Sequence, residues 1–421
     1  MSGTAAALTV TGALLDGETI GLRCRGGRIE ALGPGVEPEA GDERLDASGG
    51  ILVPALVNGH THAAMTLFRG QGGDLPLMRW LREKVWPIEA KLDAEDVYWG
   101  TRLACLEMIR SGTSRFWDMY WHPEASARAV EDAGLRATIG GPLLDVGGDT
   151  EAMRRQALRY LEELEGFGPQ IESALAPHAL YTVSEELLRW AGELAGERGL
   201  AIQIHLSETE REVSDCIAAH GTRPAHYLDR LGVLNENAVL AHGVWLDEGE
   251  FELIAERGAT VVTNPVANMK LAVGGVFPYP AARKAGAAVG LGTDGAGSND
   301  SLDLLADLKA FALVQRHAAE DPTVLPAAEA WGVATGASAP RLSGGGERLV
   351  VGAPADFLLL RGDAPELCIG SLHSDLVYAA AGSVVDTTVV AGRVLMRGGV
   401  VEEGEEIVAR AAERARRLMD G

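Results

Sequence analysis

The chain has 421 residues, too many for one ordinary small domain, and its 47% hydrophobic content allows a large core. Lys and Arg total 37 against 60 Asp and Glu, for a formal net charge of −23. That excess repels phosphate backbones and anionic bilayers, which argues against a nucleic-acid polymer or a membrane surface as partner. The four cysteines (Cys24, Cys105, Cys216, Cys368) form no CxxC pair, a spacing that fits a reduced cytoplasmic protein. The start, MSGTAAALTVTGALLDG, has no basic leader region, and no run reaches 18 apolar residues. The expected partner is a small-molecule substrate, and a homo-oligomer is compatible with the composition.

In chain order, residues 7–35 read as short strands punctuated by Asp16-Gly17 and Gly26-Gly27. ERLVVG, ADFLLLRG and DTTVVAGRVLMRGG near the C-terminus have the same texture. The two ends are therefore expected to build one composite β-sandwich domain, residues 1–53 and 346–421. The last helix, Glu405 to Met419, carries mixed charge and reads as a solvated surface element.

Between them, residues 54–345 alternate apolar runs with helical stretches. Eight runs can be counted: ILVPALV, TSRFW, RATIG, IESALA, AIQI, AVLA, TVVT and AAVGLG. Continuous apolar strands alternating with helices such as SEELLRWAGELAGERG imply an α/β fold, a parallel (β/α)8 TIM-type barrel buried on both faces. A long loop is expected after the first strand, over Ala63–Asp93, with Trp80 and Trp86 packing it.

Barrel chemistry gathers where strands end. Five of the ten histidines fall at such ends: His60, His62, His178, His205 and His242. His60 and His62 lie two apart and leave the same face of an extended segment. With His205 and Asp294 from across the mouth they make a three-nitrogen, one-carboxylate metal site suited to Zn²⁺, and Fe²⁺ or Mn²⁺ fit the same donors. None of the five lysines ends strand 4, so no carbamylated lysine can bridge two ions and one metal per chain is expected. Glu208, just past His205, is placed for general acid–base work, His242 to polarise water or hold the leaving group, and Asp294 to accept a proton. His122, His220, His226, His317 and His373 read as surface or capping residues.

PALVNGHTHAAMTLFRG, HLSETE, LAHGVWL, TNPVANMKL and GLGTDGAGSNDSLDL together resemble the amidohydrolase superfamily in its mononuclear cytosine-deaminase-like branch. The pattern is most similar to the 5-methylthioadenosine/S-adenosylhomocysteine deaminase family, over essentially the whole chain. The resemblance implies His60, His62, His205 and Asp294 as metal ligands, with Glu208 and His242 catalytic. It implies substrate contacts from Glu89 in Trp86-Pro87-Ile88-Glu89 and from His178, beside Glu208 and Asp294. Where some relatives carry an arginine after strand 3, this chain reads Gly140-Gly141-Pro142. The implied activity is metal-dependent hydrolytic deamination of an adenine nucleoside or thioether derivative: 5′-methylthioadenosine, S-adenosylhomocysteine or adenosine. The alternative is hydrolysis of another amino- or chloro-substituted heterocycle, a triazine, pterin or pyrimidine. A scaffold that had lost catalysis should have lost ligands, and this chain keeps all four.

Overall fold

The computed structural model describes residues 7–71 and 74–420. Met1–Ala6, the start of the segment read for a leader, lie outside the described residues, as do Gly72 and Gly73 of the long first loop.

Eight parallel strands form the barrel: Leu56–Thr61, Thr113–Met119, Arg136–Gly140, Ile171–Pro177, Ala201–Leu206, Ala238–His242, Thr260–Thr263 and Ala288–Leu291. Each is nearly or wholly buried, as a sheet covered on both faces requires. The seam between the first and eighth strands closes just beyond the eighth. There the Asp294 N–H donates to the His60 carbonyl at 3.0 Å, and the Thr293 N–H donates to Asn58 Oδ1 at 3.1 Å. Val57, Trp117, Val239 and Val262 fill the lumen with Leu342 from the short helix Pro340–Ser343. A Cβ on Gly290 would lie 2.2 Å from Leu342 Cδ1, so a side chain at that strand position would displace the Leu342 plug.

The termini build one eight-stranded mixed sheet, which forks at its first strand, Leu8–Leu15. Leu8–Thr11 pair with Glu43–Asp46, whereas Leu14 pairs with Ile51. The sheet has its own core, including Leu8, Val10, Leu22, Leu52 and Phe357. The apolar run ILVPALV serves both sheets: Ile51–Pro54 pairs with Phe357–Leu360 in the terminal sheet, and Leu56–Thr61 opens the barrel.

Two expectations need correction. The segment Ala63–Asp93 is a chain of short helices rather than an open loop: Ala63–Phe68, Leu77–Trp80, Leu81–Val85 and Trp86–Glu89. Pro76 sits at the start of Leu77–Trp80, where a missing N–H costs nothing, and Pro87 lies just past the π turn Leu81–Val85. The C-terminal helix, Gly404–Asp420, is not wholly solvated. Its Ala411 and Leu418 are buried in the same cluster as Leu67, Phe68, Trp80 and Val97. Arg414 pairs with Asp93 and Asp96, and Arg417 with Asp96, tying the helix to the start of Ala94–Ser111. No helix among the described residues is long and apolar enough to cross a membrane.

Candidate active site

The strand-end histidines converge at the C-terminal mouth of the barrel. Donor atoms of His60, His205, His242 and Asp294 all lie within 4.8 Å of one another. His62 reaches the same point: its Nε2 stands 3.2 Å from Asp294 Oδ1 and 3.3 Å from His205 Nε2. His60 Nε2 is 3.6 Å from Asp294 Oδ1. The sequence set and the geometric set therefore share three residues, and His242 stands beside His62 as a further donor.

Hydrogen bonds on the far ring nitrogens set the orientations. His62 Nδ1 meets the Met119 carbonyl at 2.7 Å, and His205 Nδ1 meets the His178 carbonyl at 2.7 Å. A carbonyl only accepts, so in both rings Nδ1 carries the proton and Nε2 offers its lone pair to the centre. His242 Nδ1 meets Asn268 Oδ1 at 2.8 Å, and Asn264 lies 3.3 Å from the same nitrogen. Both His60 nitrogens are buried without a hydrogen-bond partner. An imidazole 1% exposed and unpaired is costly unless something fills its lone pair.

Electrostatics agree with a cation here. Burial pushes His60 down to about 4 and His205 well below the usual imidazole range, which keeps both neutral. Burial would raise the Asp294 carboxyl, but the imidazoles of His60 and His62 close beside it outweigh that and hold the group well below the usual carboxylate range. Ser298 Oγ donates to the other oxygen, Oδ2, at 2.6 Å. Burial alone would lower His62, but Asp294 beside it prevails and raises it to about 9, so the site already holds positive charge against this carboxylate. The donor set, imidazole nitrogens around one ionised carboxylate, fits a divalent ion such as zinc.

Ser207, His242 and Asp294 all have positive φ (51°, 75° and 61°). Backbone held in this sparsely populated region is strain that the surroundings must enforce, and all three positions aim side chains or turns at one point. Glu208 follows Ser207 and is 5% exposed; burial raises its carboxyl above the ordinary value. One of its oxygens lies 4.0 Å from His242 Nδ1.

Above this floor is a cavity that opens to solvent. Its wall is mostly apolar, including Met65, Leu77, Leu81, Val85, Leu144 and Leu271, and among the described residues no lysine or arginine lines it. Glu89 enters from the helical segment after the first strand, with Tyr120 and Trp121 beside it. Burial raises the Glu89 carboxyl, while the Tyr120 hydroxyl and Trp121 indole oppose that rise. His178 lines the same cavity, with its Nδ1 2.8 Å from Thr182 Oγ1. Burial pushes His178 down to about 3, so it meets a ligand as a neutral ring. Trp80 and Trp86, expected only to pack the loop, both line the cavity. Trp80 is buried with its indole N–H donated to the Gln71 carbonyl at 2.9 Å, and Trp86 remains 38% exposed.

The amidohydrolase family model matches residues 51–395. The chain belongs to the amidohydrolase family. A relative from Methanoregula boonei, a 5′-deoxyadenosine deaminase, is 47% identical over 89% of this chain and 86% of its own length. A 5-methylthioadenosine/S-adenosylhomocysteine deaminase from Pelotomaculum thermopropionicum is 41% identical over 97% and 95%. Among solved structures, an adenosine deaminase from Xanthomonas campestris with bound zinc superposes with a TM-score of 0.90. It is 31% identical and covers 99% of both chains.

Within this amidohydrolase site, sequence reasoning missed Asn264, Asn268 and Ser298. They lie in TNPVANMKL and GAGSND, and only contact with His242 or Asp294 gives them a role.

Proposed function

We propose that the protein is a metal-dependent hydrolytic deaminase of adenine nucleosides and their 5′-thioether derivatives. The observation that carries this reading is Glu208, buried beside the His/Asp donor cluster in a cavity that Glu89 also lines. The names of the relatives support the same substrate class.

On this reading His60, His62, His205 and Asp294 hold one metal, with His242 turned to the reacting water. A divalent ion bound there supplies the Lewis-acid charge that acidifies water at neutral pH. Zinc is the metal of the similar adenosine deaminase structure. Glu208 takes a proton from the attacking water and delivers it to the ring nitrogen beside the amino-bearing carbon. The water oxygen bonds to that carbon. Asp294 and His242 pass the remaining proton to the amino group, the C–N bond breaks, and ammonia leaves behind a ring carbonyl. His178 packs against the purine or sugar as a neutral donor or acceptor. Glu89 accepts from the two ribose hydroxyls, a charge-assisted arrangement.

Among the described residues no lysine or arginine lines this cavity, so small neutral 5′ groups suit it. The four free thiols fit a reducing, cytoplasmic setting. Ammonia release from 5′-deoxyadenosine, 5′-methylthioadenosine, S-adenosylhomocysteine, adenosine, adenine, cytosine, a pterin and a triazine tests the assignment. The nucleosides should have the highest kcat/KM, and a triazine or free base ahead of them would defeat it.

A further inference from the structure

Four residues beyond Glu208 lies a second buried carboxylate that does not itself line the active-site cavity. Glu212 is 6% exposed and sits at the third position of the helix Glu210–His220. Its Oε1 accepts the Ser207 N–H at 2.8 Å and its Oε2 accepts the Glu208 N–H at 3.0 Å. Both oxygens are thus spent on the two consecutive amides that carry the acid–base side chain.

Ordinary helix capping does not account for this. Twice elsewhere in the chain the third helical residue reaches back to the capping residue's own N–H: Asp96 to Asp93 at 3.0 Å, and Glu250 to Asp247 at 3.1 Å. At Glu210–His220 the capping residue is Thr209, whose Oγ1 already accepts the Glu212 N–H at 3.2 Å. The Glu212 side chain bypasses Thr209 and binds one and two residues further upstream. The cost is plain, since burial pushes this carboxyl up to about 7 against the two backbone N–H groups that oppose it.

The turn it grips needs holding. Ser207 is a non-glycine residue at φ 51°, and its carbonyl accepts the Trp245 N–H at 2.9 Å. The turn is therefore clamped on one side by the loop after His242 and on the other by Glu212. We propose that Glu212 is the positioning residue of the acid–base group, fixing the Ser207–Glu208 backbone so that the Glu208 carboxylate stays aimed at the reacting water. The inference rests on Glu208 being the proton carrier. Misplacement by about 1 Å at such a group costs up to about 100-fold in rate.

A double-mutant cycle on the metal-loaded enzyme tests it, with ammonia release from 5′-methylthioadenosine as readout. Glu212→Gln keeps the shape but turns an NH₂ toward a backbone N–H. It should keep its metal and fold, lower kcat about 10- to 100-fold, and leave KM within about threefold. Added to Glu208→Gln, it should change kcat by less than about twofold, because the group it positions is already gone. Glu212→Asp, one methylene shorter, should show the same dependence on background. Equal losses in both backgrounds, or a loss explained by metal release or by KM, would overturn the inference while leaving the deaminase reading intact. Full turnover in Glu208→Gln alone would overturn the proton-carrier reading and this inference with it.

Discussion

Asn268 Oδ1 stands 2.8 Å from His242 Nδ1, and both residues are buried. With Nδ1–H donated to that amide oxygen, Nε2 carries the lone pair of His242, a residue of the His/Asp donor cluster. Asn268→Ala should therefore lower kcat by about 10- to 100-fold, the usual scale for loss of a partner that orients a site histidine. Steady-state kinetics with 5′-methylthioadenosine check it. Unchanged turnover would mean that Asn264, at 3.3 Å, is the partner that matters.

Glu208→Gln should retain metal and lose turnover by about 100-fold or more, because an amide cannot carry the proton. Elemental analysis beside kinetics separates loss of chemistry from loss of the ion. Metal loss in this variant would make Glu208 a ligand rather than a proton carrier.

Glu89→Ala should cut kcat/KM for ribonucleosides by about 10-fold or more through KM, since two charge-assisted hydrogen bonds are removed. Adenine has no hydroxyls to lose and should be affected little. Equal losses on adenine and adenosine would place Glu89 at the base instead of the sugar.

In the terminal sheet, Asp42 accepts from Arg23 Nε at 2.8 Å and from Thr9 Oγ1 at 2.7 Å. The Arg23 guanidinium, helped by the Thr9 hydroxyl, holds the Asp42 carboxyl well below its ordinary range. A pKa lower in the folded than in the unfolded chain stabilises the fold above the unfolded value, about 3.9, and this contribution is lost as pH falls below it. Asp42→Asn should melt below wild type at pH 7, with the gap narrowing as the pH drops under about 4. Thermal melts across pH check this, and a gap that widens in acid would reverse the sign of the argument.

Much of the site was legible because barrel geometry ties function to strand ends. His60 and His62 share a face by period, and His205, His242 and Asp294 each close or follow an apolar run. The segment after the first strand was less legible. The helical stretch over 77–89 is broken in the middle by the π turn Leu81–Val85, which disrupts a 3.6-residue apolar period, so Ala63–Asp93 read as loop. Arginine and glutamate dominate the last helix, which hid the buried Ile407, Ala411 and Leu418, while the acidic partners of Arg414 lie more than 300 residues away in sequence. Asn268 and Ser298 look like ordinary turn residues, and Glu212 is one of three glutamates in an acidic run. Local sequence does not show which carboxylate turns back onto the chain.

The most direct test of metal-dependent deamination is zinc titration of chelator-stripped protein while ammonia release from 5′-methylthioadenosine is measured. Activity should be lost on stripping, return in proportion to added zinc, and saturate at one equivalent per chain, as one shared donor cluster requires. Turnover that survives stripping, or that saturates only at two equivalents, would contradict the account.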